Sequence, residues 1–130
     1  NKESPMKNKN SFNLQDRIIN FSLLIMKIVE GLPKSYTGQH FAKQLVRSGT
    51  SPAFQYGEAQ AAESRKDFIH KLKIGQKELR ETFVCLTIIK KHPLSSSELL
   101  EIALTECDEL IAIFHKSIGT AKKNLDKNGY

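Results

Sequence analysis

The amino-acid sequence predicts an all-α protein that folds as an antiparallel, up-and-down four-helix bundle. Four amphipathic segments, each with apolar residues every three or four positions, account for almost all of the chain between its polar ends. Short stretches of turn residues separate these segments, and short connections make consecutive helices antiparallel neighbours. The sequence contains neither the alternating pattern of a β-strand nor an internal repeat.

The first helix is predicted to begin after Asn13, a residue that can cap a helix, and to end near Leu32. Gly31 and Pro33 close it, and residues 34–39 form a turn-rich connection. The core face of this helix repeats at spacings of four and three residues and consists of Leu14, Ile18, Phe21, Ile25, Ile28 and Leu32.

The second helix is predicted to run from about His40 to Ala62 and to bury two faces. One face is a seam of Phe41, Leu45, Ser48, Pro52, Tyr56 and Ala59. The other is a row of small residues that would let a neighbouring helix approach closely, Gly49, Ala53, Gly57 and Ala61. Pro52 either kinks a continuous helix or starts a new one capped by Ser51. A complete break would interrupt the regular small row, which favours the kinked helix.

The third helix starts at a capping-box pattern formed by Ser64 and Asp67 and ends at His92 and Pro93. Its core seam is Phe68, Leu72, Gly75, Leu79, Thr82, Leu86 and Ile89. Ser95 and Glu98 repeat the capping pattern before the fourth helix, whose core face is Leu100, Ala103, Cys107, Leu110, Phe114, Ile118 and Ala121. The bundle is therefore predicted over residues 12–121, with flexible basic tails at residues 1–11 and 122–130.

The net charge of +6 lies mostly near the two ends of the chain. Residues 1–10 contribute +2, residues 116–130 contribute +3, and only +1 remains for residues 11–115. Basic tails serve solubility as well as loose contact with a polyanion, so the net charge alone does not identify an RNA-binding protein.

Composition also bears on location and on metal chemistry. Apolar runs such as residues 23–26 are far shorter than the roughly 20 residues of a membrane span. The polar residues 1–10 lack the apolar region of a secretory signal, and we expect a cytoplasmic protein. Cys85 and Cys107 have no partners at metal-ligand spacing and are predicted to be reduced thiols in the core. No metal and no cofactor is predicted.

Five separated motifs lie in the predicted helices, at residues 44–53, 57–59, 63–72, 78–82 and 107–112. In this order they resemble the bacterial four-helix-bundle proteins encoded in intervening sequences of large-subunit ribosomal RNA genes, and the similarity covers about residues 12–121. Two positions depart from the family pattern. Cys85 stands where many relatives carry a large aromatic residue, and Gly75 costs a helix interior up to about 1 kcal/mol relative to alanine.

The resemblance implies a left-handed bundle that assembles as a ring-like homopentamer and has no established enzymatic activity. A more distant similarity is to the accessory variability determinants of diversity-generating retroelements, which assist a reverse transcriptase and bind nucleic acid. These similarities make the protein itself the first expected partner, and RNA or a nucleic-acid enzyme the second.

A basic stripe on the third helix is the candidate nucleic-acid site. Lys66, His70, Lys73 and Lys77 follow spacings of four and three residues on the face opposite the core seam. Such a stripe either follows a phosphate backbone or is an ordinary solvated lysine face. No aromatic residue is interleaved with it, so base stacking is not expected there.

A second group of charged residues is predicted to form ion pairs that fix the register of the helices, with partners on the third helix or on another subunit. The group consists of Arg47, Glu58, Arg65, Glu78 and Glu81. The alternative is acid–base catalysis by Glu58 and Glu78, but no nucleophile, cleft-forming loop or phosphate loop accompanies them. The Glu-x-x-His pairs of di-iron bundles do not occur.

The third and fourth helices carry opposite charges. The first half of the fourth helix has five acids and no base between them, Glu98, Glu101, Glu106, Asp108 and Glu109, whereas residues 66–91 have seven bases against three acids. These faces favour either head-to-tail contact between copies or pairing within one subunit. The leading hypothesis is a non-enzymatic homo-oligomeric adaptor or scaffold, and the alternative is a direct RNA-binding protein.

Overall fold

A computed structural model describes residues 13–128 and contains four helices. They are α1 (Leu14–Glu30), α2 (Tyr36–Gln60), α3 (Arg65–Lys91) and α4 (Leu99–Asn128). No strand occurs between residues 13 and 128, and the predicted all-α four-helix fold is confirmed. The tail predicted at residues 1–11 lies outside the described residues.

The helices pack in the order of the chain, and α1 returns to contact α4. The α2–α3 interface is the most extensive and the α1–α4 interface the least, while the backbones of α1 and α3 do not approach each other across the bundle. One hydrophobic core receives side chains from all four helices. Its largest fully buried members include Phe21, Leu45, Leu79, Leu86 and Phe114.

Two of the predicted helix starts are confirmed by their caps. The Asn13 side chain accepts a hydrogen bond from the Asp16 backbone N–H at 3.0 Å, and Ser64 Oγ accepts one from the Asp67 N–H at 3.1 Å. Each side chain satisfies a backbone donor that the first turn of a helix leaves without a partner.

The second helix begins earlier than predicted, at Tyr36 rather than near His40. Ser35 caps it, because its Oγ accepts a hydrogen bond from the Gly38 N–H at 3.1 Å. Residues 36–39 therefore form the first helical turn and not a connection. A side chain at Gly38 would collide with the Pro33 carbonyl, so glycine lets the preceding loop lie against this turn.

Pro52 lies inside a continuous α2 and is buried. Of the two alternatives for this position, a helix that starts anew at Pro52 is not observed. Proline cannot donate to the Ser48 carbonyl one turn earlier. At the same level of the bundle the Thr82 hydroxyl donates to Ser48 Oγ at 3.0 Å, which joins α2 to α3 in the core.

The fourth helix differs from the prediction at both ends. The expected Ser95–Glu98 capping box does not form, because Ser97 Oγ accepts from the Leu99 N–H at 3.0 Å and Ser95 Oγ accepts from the Ser97 N–H at 3.1 Å. At the other end, α4 continues to Asn128, so the helix extends beyond the predicted boundary at residue 121. Leu125 explains this extension, since it continues the buried seam one turn beyond Ala121 and packs against the core.

The small-residue row of α2 is a close-packing surface only in its first half. A Cβ on Gly49 would lie 2.8 Å from both Cγ atoms of Ile25, and Ala53 packs against the core. The prediction is wrong for Gly57, where a Cβ would meet nothing within 4 Å, and for Ala61, which is exposed at the end of α2. An i, i+4 row turns by about 40° per step on a helix with 3.6 residues per turn, so it rotates away from α1.

Gly75 marks a second close approach. A Cβ at this position would lie 2.7 Å from Phe114 Cε2 and 3.4 Å from Gln55 Cβ. The fully buried Phe114 ring occupies the space that a side chain would need. Glycine is a poor helix former at this position, but the absence of a side chain lets α4 pack tightly on α3.

Gly49→Ala and Gly57→Ala provide a matched test of these contacts. We expect Gly49→Ala to lower the free energy of unfolding by about 1–3 kcal/mol, because the new methyl group overpacks the contact with Ile25. Gly57→Ala should raise it by up to about 1 kcal/mol, since alanine is the better helix former at an open position. Urea denaturation followed by circular dichroism measures both, and equal midpoints would contradict close packing at Gly49.

Candidate functional site

The predicted basic stripe lies on the outer surface of α3. Lys66, His70, Lys73 and Lys77 are all exposed. The exposed aromatic side chains among the described residues, Tyr36 and Phe54, lie on α2 and not along this stripe. The surface therefore offers positive charge without a platform for stacking bases.

Lys122 of α4 extends the basic surface across the α3–α4 boundary. Its ammonium group lies close enough to that of Lys73 for repulsion between the two charges to lower the Lys73 pKa below its ordinary value. Lys122 lies in the segment predicted as a tail, and its proximity to Lys73 depends on α4 continuing past Ala121. A polyanion placed here would reduce the repulsion between the two ammonium groups.

The predicted ion-pair residues of α2 face α3 within the same chain. Arg47 Nη1 lies 3.2 Å from Glu78 Oε1, and Arg47 Nη2 lies 2.6 Å from Glu81 Oε1. Glu58 Oε1 lies 2.8 Å from Lys71 Nζ. Two separate contacts thus join α2 to α3.

Arg65 occupies the first position of α3 and lines a surface cavity of ≈ 560 Å³ between the start of α3 and the end of α4. The other residues of this cavity are Ala62, Ser64, Phe68, Lys116, Ser117, Thr120, Ala121 and Asn124.

The acidic half of α4 is paired within the chain at three positions. Arg17 of α1 binds Glu106 through Nε at 2.7 Å and through Nη2 at 2.8 Å, and its Nη2 also contacts Glu109 at 2.5 Å. The hydrogen bond to Glu106 is the main cause of a raised Arg17 pKa. Lys90 of α3 pairs with Glu101 at 2.6 Å. Intramolecular pairing therefore uses much of the charge that head-to-tail contact would need.

The two carboxylates considered for acid–base catalysis are each paired with a basic side chain. Glu58 and Glu78 are each engaged by a cation, Lys71 and Arg47 respectively. Among residues 13–128, no three His, Cys, Asp or Glu side chains are grouped to hold a metal ion.

Apolar side chains exposed on α1 and α3 are the feature that sequence reasoning missed. On α1 they are Ile19, Leu23 and Met26, and on α3 they are Val84 and Ile88. The two α3 residues line a groove of ≈ 490 Å³ with Phe41, Gln44, Lys77, Arg80, Glu81 and Cys85. In the sequence, these exposed apolar residues of α1 and α3 could have been recognised by their spacing of three or four positions on the faces opposite the core seams.

Comparison with known proteins identifies the family. The protein-family model described as 23S rRNA-intervening sequence protein matches residues 10–116. The chain belongs to this family. The prediction from the sequence motifs is therefore confirmed.

One solved structure similar to the chain comes from Bacteroides thetaiotaomicron. It is described as a protein of unknown function from the S23 ribosomal protein family. The two proteins are 29% identical, with a TM-score of 0.76, over 82% of this chain and 98% of the other. A comparison with curated proteins finds no match. Neither the matched family description nor the structural relative's description names an enzymatic activity.

In this member of the 23S rRNA-intervening sequence protein family, the two cysteines are free thiols buried in the core. Cys107 Sγ donates to the Leu79 carbonyl at 3.1 Å, and Cys85 Sγ lies 4.0 Å from the Phe41 carbonyl. Burial raises the pKa of Cys85 to about 11 and that of Cys107 to about 12. Asp108 and Glu106 add to the effect at Cys107. Both thiols are thus protonated near neutral pH.

We expect both thiols to be inert toward Ellman's reagent at pH 8 until the protein unfolds, because the thiolate is the reactive form. Their contribution to stability is complete below the unfolded-state pKa of about 8.5 and is lost as the pH rises toward 11 and 12. Absorbance during urea unfolding at pH 8 should report two thiols per chain, together with the loss of helix. Immediate reaction in native buffer would contradict their inert burial.

Proposed function

We propose that this protein is a cytoplasmic, non-enzymatic, homo-oligomeric adaptor or scaffold, with five subunits as the preferred number. The observation that carries this proposal is the pair of exposed apolar surfaces on α1 and α3. Scattered single apolar residues are normal on a soluble protein, but clustered ones are typical of interaction surfaces.

The position of these two surfaces supports an assembly with more than two subunits. Helices α1 and α3 occupy diagonally opposite corners of the bundle, since the backbone of each lies beside α2 and α4 and the two do not approach each other. A subunit can therefore use both surfaces at once. Contacts between unlike surfaces close into a ring when the rotation between neighbours permits it. The number five rests on the family resemblance and not on this geometry.

No helix in the described part of the chain is long and apolar enough to cross a membrane.

Native mass spectrometry and light scattering test the assembly. We expect a single species of five subunits at tens of micromolar protein, held by the desolvation of the exposed apolar side chains. A monomer at that concentration would contradict the oligomeric scaffold, and a stable dimer would contradict the stoichiometry while leaving self-association in place. Dilution of the sample distinguishes specific assembly from aggregation, because only a defined oligomer dissociates to a defined smaller species.

A second candidate function is direct binding of RNA by the basic surface of α3 and α4. The observation that favours it is the adjacency of Lys73 and Lys122, two like charges on neighbouring helices. Lys66 and His70 continue this surface along α3. Without an aromatic platform, such a surface would bind phosphates and would discriminate little between sequences.

Charge-neutral variants test RNA binding. We expect Lys73→Gln with Lys122→Gln to weaken binding of a labelled RNA hairpin and to reduce the slope of log affinity against log salt by on the order of 1–2, because fewer counterions are released. Lys34→Gln with Lys43→Gln removes the same charge from exposed lysines elsewhere and should have a smaller effect. Fluorescence anisotropy over a salt series measures both variants.

Two results would contradict this second function. Either the parent protein does not bind the hairpin at moderate salt, or the two double variants weaken binding equally. Removing residues 1–10 tests the remaining alternative, that the N-terminal lysines carry the binding. Residues 116–130 are not a suitable deletion, because they contain the buried Ile118 and Ala121 of α4.

A further inference from the structure

The exposed surfaces of α1 and α3 are matched in length. On α1, the exposed residues Asp16, Ile19, Leu23, Met26 and Glu30 recur at spacings of three and four. On α3, the exposed residues Lys77, Arg80, Val84, Ile88 and Lys91 do the same. We name these sets the α1 face and the α3 face. Each extends over about 21 Å, the rise of fourteen residues in an α-helix.

The two faces are also matched in charge. The α1 face has an acid at each end and three apolar residues between them, whereas the α3 face has bases at its ends and Val84 and Ile88 in the middle. Charged side chains near the faces include Glu81 and Lys27. Glu81, which lines the α3 groove, is already paired with Arg47 at 2.6 Å. Lys27 follows Met26 and adds one positive charge beside the α1 face.

From this match we infer that the α1 face of one subunit packs on the α3 face of the next copy, which is the contact that builds the proposed oligomer. This inference rests on the proposed self-association and specifies the two surfaces that form the contact between copies. The apolar residues exclude water at the centre of the contact, and the acids of one copy meet the bases of the other at its rim. Because the two faces differ, the contact is head-to-tail and each subunit has two neighbours.

The charges on the two faces disfavour pairing of either face with itself. Two α1 faces would bring Asp16 and Glu30 of one copy against the same acids of another, and two α3 faces would oppose three bases with three bases. Like charges placed opposite each other disfavour both symmetric pairings. The arrangement therefore selects the unlike pair.

Single substitutions in the centre of each face test the inference. Leu23→Asp and Val84→Asp place a charge in the contact but alter side chains that are exposed in the subunit, so each variant should fold and become monomeric. Ile102→Asp on α4 is the matched control, since Ile102 and Leu23 are both 54% exposed, and it should remain oligomeric. Circular dichroism verifies folding, and light scattering measures the mass. Met26→Asp and Ile88→Asp repeat the test one turn further along each helix.

Mixing the two monomeric variants tests the head-to-tail arrangement. Leu23→Asp keeps an intact α3 face and Val84→Asp keeps an intact α1 face, so native mass spectrometry should find a heterodimer with one copy of each and nothing larger. Mixed variants that stay monomeric would overturn the inference. The inference would also be overturned if Leu23→Asp became monomeric while Val84→Asp stayed oligomeric, because this result would indicate that α1 pairs with itself.

The parent protein separates failure of this inference from failure of the proposed function. An oligomeric parent whose Leu23→Asp and Val84→Asp variants keep the same mass would overturn the assigned faces, while self-association stands. A monomeric parent would overturn both. If the Ile102→Asp control dissociates as completely as the two face variants, the effect is not specific to the α1 and α3 faces and the inference fails.

Discussion

The bundle depends on two places where a bulky side chain packs directly on the backbone of a neighbouring helix. Ile25 of α1 contacts α2 at Gly49, and Phe114 of α4 contacts α3 at Gly75. These contacts set the separation of the helices in each pair, and they bury the side chains that the rest of the core surrounds. They also determine rotation about each helix axis, and therefore which residues remain on the outside.

The number and class of the helices could be predicted from the sequence because core residues such as Ile18, Leu45, Leu86 and Leu110 recur at helical spacing. Caps were predictable where a side chain acts on its own first turn, as at Asn13 and Ser64. Prediction failed where tertiary packing decides the outcome. Gly57 belongs to the same periodic row as Gly49, and only the position of α1 makes one closely packed and the other open.

The candidate sites could be predicted less completely, because charged side chains choose among several neighbours of similar reach. Arg47 was expected to pair across helices and lies against Glu78 and Glu81, but the acids of α4 were not assigned to Arg17. The closeness of Lys73 and Lys122 required knowledge of how far α4 extends. The exposed apolar residues fit their helical patterns, but their significance depends on the diagonal placement of α1 and α3.

The contact between α1 and α4 has a consequence for how the chain folds. The other three interfaces join consecutive helices, so they close only short loops, whereas the hydrogen bonds from Arg17 to Glu106 and Glu109 span 89 and 92 residues. The entropy lost on closing a loop grows with its length. The longest loop is thus closed by the least extensive interface, whereas the three interfaces between consecutive helices hold most of the contacts between helices. Such a topology has low contact order, which is typical of helical proteins that fold rapidly.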